Sequence, residues 1–270
     1  MGGTIQVGAK TDHPHANPGI WVVRDDPNGP PAVPVNRHVH YIWARLQALE
    51  CSPRGVAVHF YFCPASTGLR RNLAQPLGSS RVDLNTGGPE DVLCVQSWVP
   101  DLAIPQNESV HGCLIVEATH ASVPQDPSPI FNASLPYIGQ KNVDVLGIAV
   151  GSAIRLPFDV PIRKTTSTIA VVLGVESGRW YEQLVASLGL PNALATGNVI
   201  DTILLAHDGK QWQRVNQPYT IPRKGWLSHS LAVEFSAKRQ FAGMQVVEVV
   251  ERDLESHAPL GGMVFMLRAQ

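Results

Sequence analysis

Hydrophobic residues in this chain come in short runs rich in β-branched and aromatic side chains, set apart by clusters of proline, glycine, asparagine and aspartate. Runs of that kind read as strands and the punctuation between them as turns. Residues 20–23 (IWVV), 38–46 (HVHYIWARL), 55–62 (GVAVHFYF), 92–99 (VLCVQSWV) and 111–119 (HGCLIVEAT) are predicted strands. So are 142–150, 153–160, 166–175, 199–206, 211–215, 231–235, 244–253 and 263–267. Residues 25–31 (DDPNGPP), 76–80 (PLGSS) and 85–89 (NTGGP) read as loops, and 69–91 alternates only weakly. The four prolines in 121–136 suggest a loop or linker near a domain boundary. One helix is expected at 179–188 (RWYEQLVASL), where Trp180, Leu184, Val185 and Leu188 share a face. Ser177 is placed to cap its start, and Gly189 and Pro191 to end it.

About seven strands fall in each half, and helices do not alternate with strands, so a parallel α/β sheet is disfavoured. The expected architecture is all-β: an N-terminal arm (1–17) and two immunoglobulin-like antiparallel β-sandwich domains, 18–135 and 136–270. The second carries the short helix.

Strand 38–46 has an unusual pattern. Val39, Tyr41 and Trp43 fall on one face; His38, His40, Ile42 and Ala44 fall on the other. A half-exposed strand should be polar on its outer face, and this one is polar on neither. Either the fold covers both faces or one meets a partner, with His38, His40 and Ile42 as candidate interface residues.

The composition narrows the function classes. Only 16% of residues are charged against 44% hydrophobic, which argues for a folded chain with a largely neutral surface. The net charge is −1, divided as −3 over residues 1–135 and +2 over 136–270, so no region suits a nucleic-acid backbone. No apolar stretch approaches the length of a membrane-spanning helix. The opening MGGTIQVGAK lacks the basic and apolar segments of a secretory leader. The expectation is a cytoplasmic protein, or one exported without a recognisable signal. Cys51, Cys63, Cys94 and Cys113 form no CxxC and are expected to be reduced, with one disulfide in the first domain left open.

Candidate chemistry is sparse. His38 and His40 form one histidine pair and His13 and His15 another, but neither has a third ligand at a convincing spacing, so no metal or cofactor is expected. Gly174-Val175-Glu176-Ser177-Gly178 is not a nucleophile elbow. Gly87-Gly88 and Gly261-Gly262 lack the context of a phosphate loop and read as turns or close strand packing. Among the tryptophans, Trp212 and Trp226, flanked by Lys210, Gln211, Gln213 and Lys224, are the candidate exposed pair for a glycan platform.

Several segments resemble the CARDB-type immunoglobulin-like modules of bacterial proteins. They are Pro18-Gly19-Ile20-Trp21-Val22, the acidic loop Asp25-Asp26-Pro27-Asn28-Gly29, residues 36–45, residues 56–62 with 64–68, residues 111–118, and Asn142-Val143-Asp144-Val145. The resemblance covers roughly residues 18–150. It departs from the pattern after Arg45, where Leu46-Gln47-Ala48-Leu49-Glu50-Cys51 stands in place of a turn. Gly261-Gly262-Met263-Val264-Phe265 is similar to the closing strand of the region that often follows such modules. The resemblance implies adhesion, scaffolding or attachment to a larger assembly, and no catalytic residues. The function expected is thus non-catalytic: assembly with itself or a protein partner. The alternatives are a carbohydrate-binding or adhesion module using exposed tryptophan, and an unrecognised hydrolase.

Overall fold

The structure is a computed structural model that describes residues 4–8, 13–66, 69–102, 104, 109–123, 126–161, 166–173, 179–191, 194–195, 197–221 and 228–270. The first sandwich is built from β1 (Thr4–Val7), β2 (Ile20–Arg24), β3 (His40–Leu49), β4 (Val56–Cys63), β5 (Gln75–Val82), β6 (Glu90–Leu93), β7 (Cys113–Thr119) and β8 (Ile138–Lys141). In one sheet β3 pairs with β1, β2 and β6; the other runs β5-β4-β7-β8. Alternate residues of the two sheets, among them Ile5, Ile42, Leu46, Phe60, Val92 and Ile115, meet in one core.

The second sandwich comprises β9 (Val143–Ile148), β10 (Ala153–Pro161), β11 (Ser167–Leu173), α1 (Arg179–Ala186), β12 (Ile200–His207), β13 (Trp212–Arg214), β14 (Tyr219–Thr220), β15 (Ser228–Ala237), β16 (Met244–Asp253) and β17 (Pro259–Ala269). Its sheets run β14-β11-β16-β17-β9 and β10-β15-β12-β13. Phe158, Phe235, Val247 and Phe265 fill the space between them. The opposite face of β16 and β17 is covered by α1 through Tyr181, Leu184, Val185 and Leu188. Coverage on both sides explains why β16 is a nearly unbroken apolar run.

The chain is therefore all-β with one short helix among the described residues, as the sequence indicates. Five details differ. β9 pairs with β17 in parallel, so the second sandwich is mixed rather than purely antiparallel. The N-terminal residues expected as an arm supply β1, which pairs with residues 46–49 of β3, the stretch where the CARDB-like pattern expects a turn. Residues 76–80, read as a loop, lie in β5; this is an edge strand with a bulge between Phe60 and Tyr61 on its neighbour, and an edge tolerates Pro76. The described residues of 121–136 form a loop, as expected, but one that belongs to the first domain rather than a linker, because Phe131 and the following Tyr137 are buried in the first core. The helix ends two residues early, and Gly189 (φ +64°) turns the chain where a Cβ would come within 1.9 Å of the Pro31 carbonyl. Ser177, the expected cap, lies outside the described residues.

The two sandwiches are joined by one residue. β8 ends at Lys141 and β9 starts at Val143. Asn142 between them is fully buried and donates from Nδ2 to the carbonyls of Ser66 (2.7 Å) and Gly262 (2.9 Å), one in each domain. The buried Lys141 Nζ donates to the Ile20 carbonyl (2.7 Å) and to the Ser187 carbonyl (3.1 Å) and Oγ (2.7 Å), tying β2 to the turn after α1. Residues 15–17 run alongside: Asn17 N–H donates to the Gln140 carbonyl and Asn142 N–H to the His15 carbonyl. Replacing Lys141 by alanine leaves these acceptors without donors and opens a cavity. Lys141→Ala should cost about 3–5 kcal/mol in urea denaturation. Lys210→Ala, on an exposed turn, should cost less than about 0.5 kcal/mol. Equal small losses would show that Lys141 does not hold the junction.

Candidate ligand-binding cleft

The alternation along β3 sorts its residues by face. His40, Ile42, Ala44 and Leu46 point into the first core, while Tyr41, Trp43 and Arg45 point outward. Trp43 is directly opposite Trp21 of β2. Their rings lie 6.0 Å apart and within 3° of parallel, an offset stack, and the Arg45 guanidinium sits 5.5 Å from the Trp21 ring. Trp43 Nε1 donates to the Pro27 carbonyl (3.1 Å), so the acidic loop fixes that indole. Asp91 of β6 receives Arg45 Nε (2.7 Å) and Nη2 (2.8 Å) in a two-pronged ion pair that does not engage Nη1. The Asp91 hydrogen bonds raise the Arg45 pKa, so the guanidinium stays charged.

This ladder borders a cleft of about 410 Å³ between the first sandwich and α1. Its walls include Pro18, Trp21, Pro31, Arg45, Gln183 and Ser187. The size falls within the range of small-ligand sites. Among the described residues Arg45 is the only charged one in the wall, and it is already paired with Asp91, so the described lining is amphipathic without strong charge.

No model of a known protein family matches the chain, and no curated protein matches it. Among solved structures, the CupB6 tip adhesin of Pseudomonas aeruginosa is similar over 99% of this chain and 97% of its own, at 10% identity and a TM-score of 0.26. A mutant of the CFA/I adhesin CfaE of enterotoxigenic E. coli is similar over 100% of this chain and 94% of its own, at 9% identity and a TM-score of 0.24. At TM-scores this low the similarity bears no weight, and fold and function rest on this chain's own residues.

The residues singled out in the sequence are scattered. His40 and Ile42 are fully buried, which corrects their candidacy as a partner surface; His38 is half-buried just before β3. Trp212 is half-buried on the short edge strand β13, its ring edge-on to His207 at 4.9 Å. Trp226 lies outside the described residues, so its pairing with Trp212 has no structural description. The four cysteines are free thiols; burial pushes Cys63 up to about 12 and Cys113 well above the usual thiol range, which makes both poor nucleophiles. His13 and His15 do come together, with Glu248 of β16 as the third residue that spacing did not reveal.

His40 is instead a core histidine. Its Nε2 accepts the Val35 N–H (3.2 Å), its backbone pairs with Trp98 in both directions (2.8 Å each), and burial pushes its imidazole down to about 4. Between about pH 6.5 and 4 the unfolded chain binds a proton that folded His40 does not. Its contribution is complete above that window and lost as the pH falls through it, by about 3 kcal/mol. Urea titrations should show wild type losing more stability than His40→Gln between pH 7 and 4. Parallel losses would assign the acid sensitivity to other groups.

Proposed function

We propose that the protein is a non-catalytic binding module of the adhesion type that takes a carbohydrate in the cleft beside Trp21, Trp43 and Arg45. The observation that carries this reading is the two-indole, one-guanidinium ladder at the rim of a cleft whose described lining carries no unpaired charge. Sugars present apolar C–H faces to aromatic rings and hydroxyls to amides and guanidinium groups. The ladder offers the first through Trp21. The Arg45 Nη1 donors and the Gln183 amide offer the second. A strongly anionic ligand would have to compete with Asp91 for Arg45. The CARDB-like motifs in residues 18–150 support the same class of role. Glycan-array binding by the full chain should identify a ligand. Trp21→Ala and Arg45→Ala should each then weaken it about tenfold, equivalent to about 1.4 kcal/mol. Trp212→Ala should leave it unchanged. Binding that survives the first two substitutions would remove the cleft from consideration.

A second reading is self-association, favoured by apolar side chains around the His40–Trp98 pairing. Val39, Val95 and Val99 are 37%, 77% and 52% exposed there. Light scattering after size-exclusion chromatography should then show a concentration-dependent dimer that Val95→Glu and Val99→Glu return to monomer. A monomer at high micromolar concentration rules this reading out.

A further inference from the structure

Outside the lining of the cleft, the segment before β2 brings two histidines against β16. His13 Nδ1 lies 2.6 Å from Glu248 Oε1, and His15 Nε2 lies 2.7 Å from the same oxygen. The three ligand atoms all lie within 4.8 Å of one another. The local sequence builds this arrangement. Residues 15–17 are held in extended form along 140–142, which fixes the His15 backbone. Its imidazole fits beside Gly262, where a Cβ would come within 2.9 Å of the ring and 2.5 Å of the Val249 carbonyl. That is the close packing the Gly261-Gly262 pair suggests. His13 stacks on Trp180 of α1 with centroids 3.9 Å apart, which sets its ring plane.

As an ion-pair cluster, this arrangement is unbalanced. One carboxylate oxygen faces two imidazole nitrogens. His15 is completely buried, yet its 2.7 Å approach to Glu248 lacks hydrogen-bond geometry and neither ring nitrogen has a hydrogen-bond partner. Two imidazoles and a carboxylate, all from fixed backbone, match a three-residue transition-metal site that leaves a further position open. His13 is 27% exposed, which gives an ion a way in. Metal–ligand bonds of about 2.0–2.2 Å would require the nitrogens to draw back from Oε1 by less than about 1 Å.

We propose that His13, His15 and Glu248 form a binding site for a divalent transition-metal ion, which clamps the segment before β2 to the second sandwich. Its ligands come from both sides of the domain junction, 235 residues apart for His13 and Glu248. The ion therefore stabilises the relative placement of the two sandwiches as well as the local loop. The inference is independent of the carbohydrate reading, because none of these residues lines the cleft.

The test is isothermal titration of the chelator-treated full chain with zinc chloride, together with thermal unfolding with and without zinc. The expected result is one zinc ion per chain, bound at micromolar affinity or tighter, with a raised Tm. His13→Ala, at a partly exposed position that need not disturb the core, and Glu248→Gln should each weaken binding at least about 100-fold and abolish the Tm shift. His120→Ala, outside the cluster, should change neither; circular dichroism establishes that each variant is folded. No saturable binding up to 100-fold excess zinc would overturn the proposal. So would zinc affinity that persists in folded His13→Ala and Glu248→Gln.

Discussion

The relative placement of the two sandwiches rests on the passage of the chain through Asn142. β8 of the first domain and β9 of the second are separated by this one buried residue, whose amide hydrogen-bonds to both domains. A flexible linker would let the domains reorient, which is the default for neighbouring domains. Here the backbone leaves one sheet and enters the next without slack, and Lys141 extends a second tether to the turn after α1. A third contact, His111 Nδ1 to the buried Asp144 carboxylate at 2.6 Å, lies on the same seam. Asp144 raises the His111 pKa against the opposing effect of burial, so this pair favours the docked arrangement most when the imidazole is protonated.

The cleft follows from that constraint. Its walls come from β2 and β3 on one side and from α1 on the other, and α1 is held by its apolar face on the second sandwich. Neither domain alone has the pocket. The indole–guanidinium ladder is likewise made by pairing rather than by one segment: Trp21, Trp43 and Asp91 belong to three strands brought together by β3. A small error in the register of β2 on β3 would separate the two indoles and turn Trp21 inward, since successive residues face opposite sides. The same parity places Ile20 and Val22 in the first core, so hydrophobic burial fixes the register that the surface site requires.

Much of this was legible in the sequence, and the failures have physical causes. The β class and the helix were visible because their periods are local. The faces of β3 were also readable: Tyr41, Trp43 and Arg45 share one parity, and a charged residue at the end of that series marks the solvent side. The same cue puts His40 and Ile42 on the core side rather than on a partner surface. β5 was missed because Pro76 and Gly78 are turn formers that an edge position and a bulge accommodate. Trp21 and Arg45 as neighbours, and Glu248 as the partner of His13 and His15, depend on contacts between distant segments. No local period encodes such contacts, and a search by ligand spacing cannot find a third ligand that lies more than 200 residues away in the chain.

Why so many polar groups are buried at the junction is a question of specificity. Lys141, Asn142, Asp144 and Glu248 are all nearly inaccessible, and an apolar seam of similar shape would avoid the cost of desolvating them. An apolar seam, however, tolerates sliding, because dispersion contacts are non-directional and many offsets bury similar area. The Lys141 Nζ set among three oxygens, or an amide spanning one carbonyl from each domain, loses its partners on a small displacement. Each misplaced group then costs about 1–3 kcal/mol. The polar seam thus penalises alternative domain orientations more than it stabilises the native one. A cleft whose walls belong to different domains needs that kind of discrimination, because its shape is only as well defined as the angle between them.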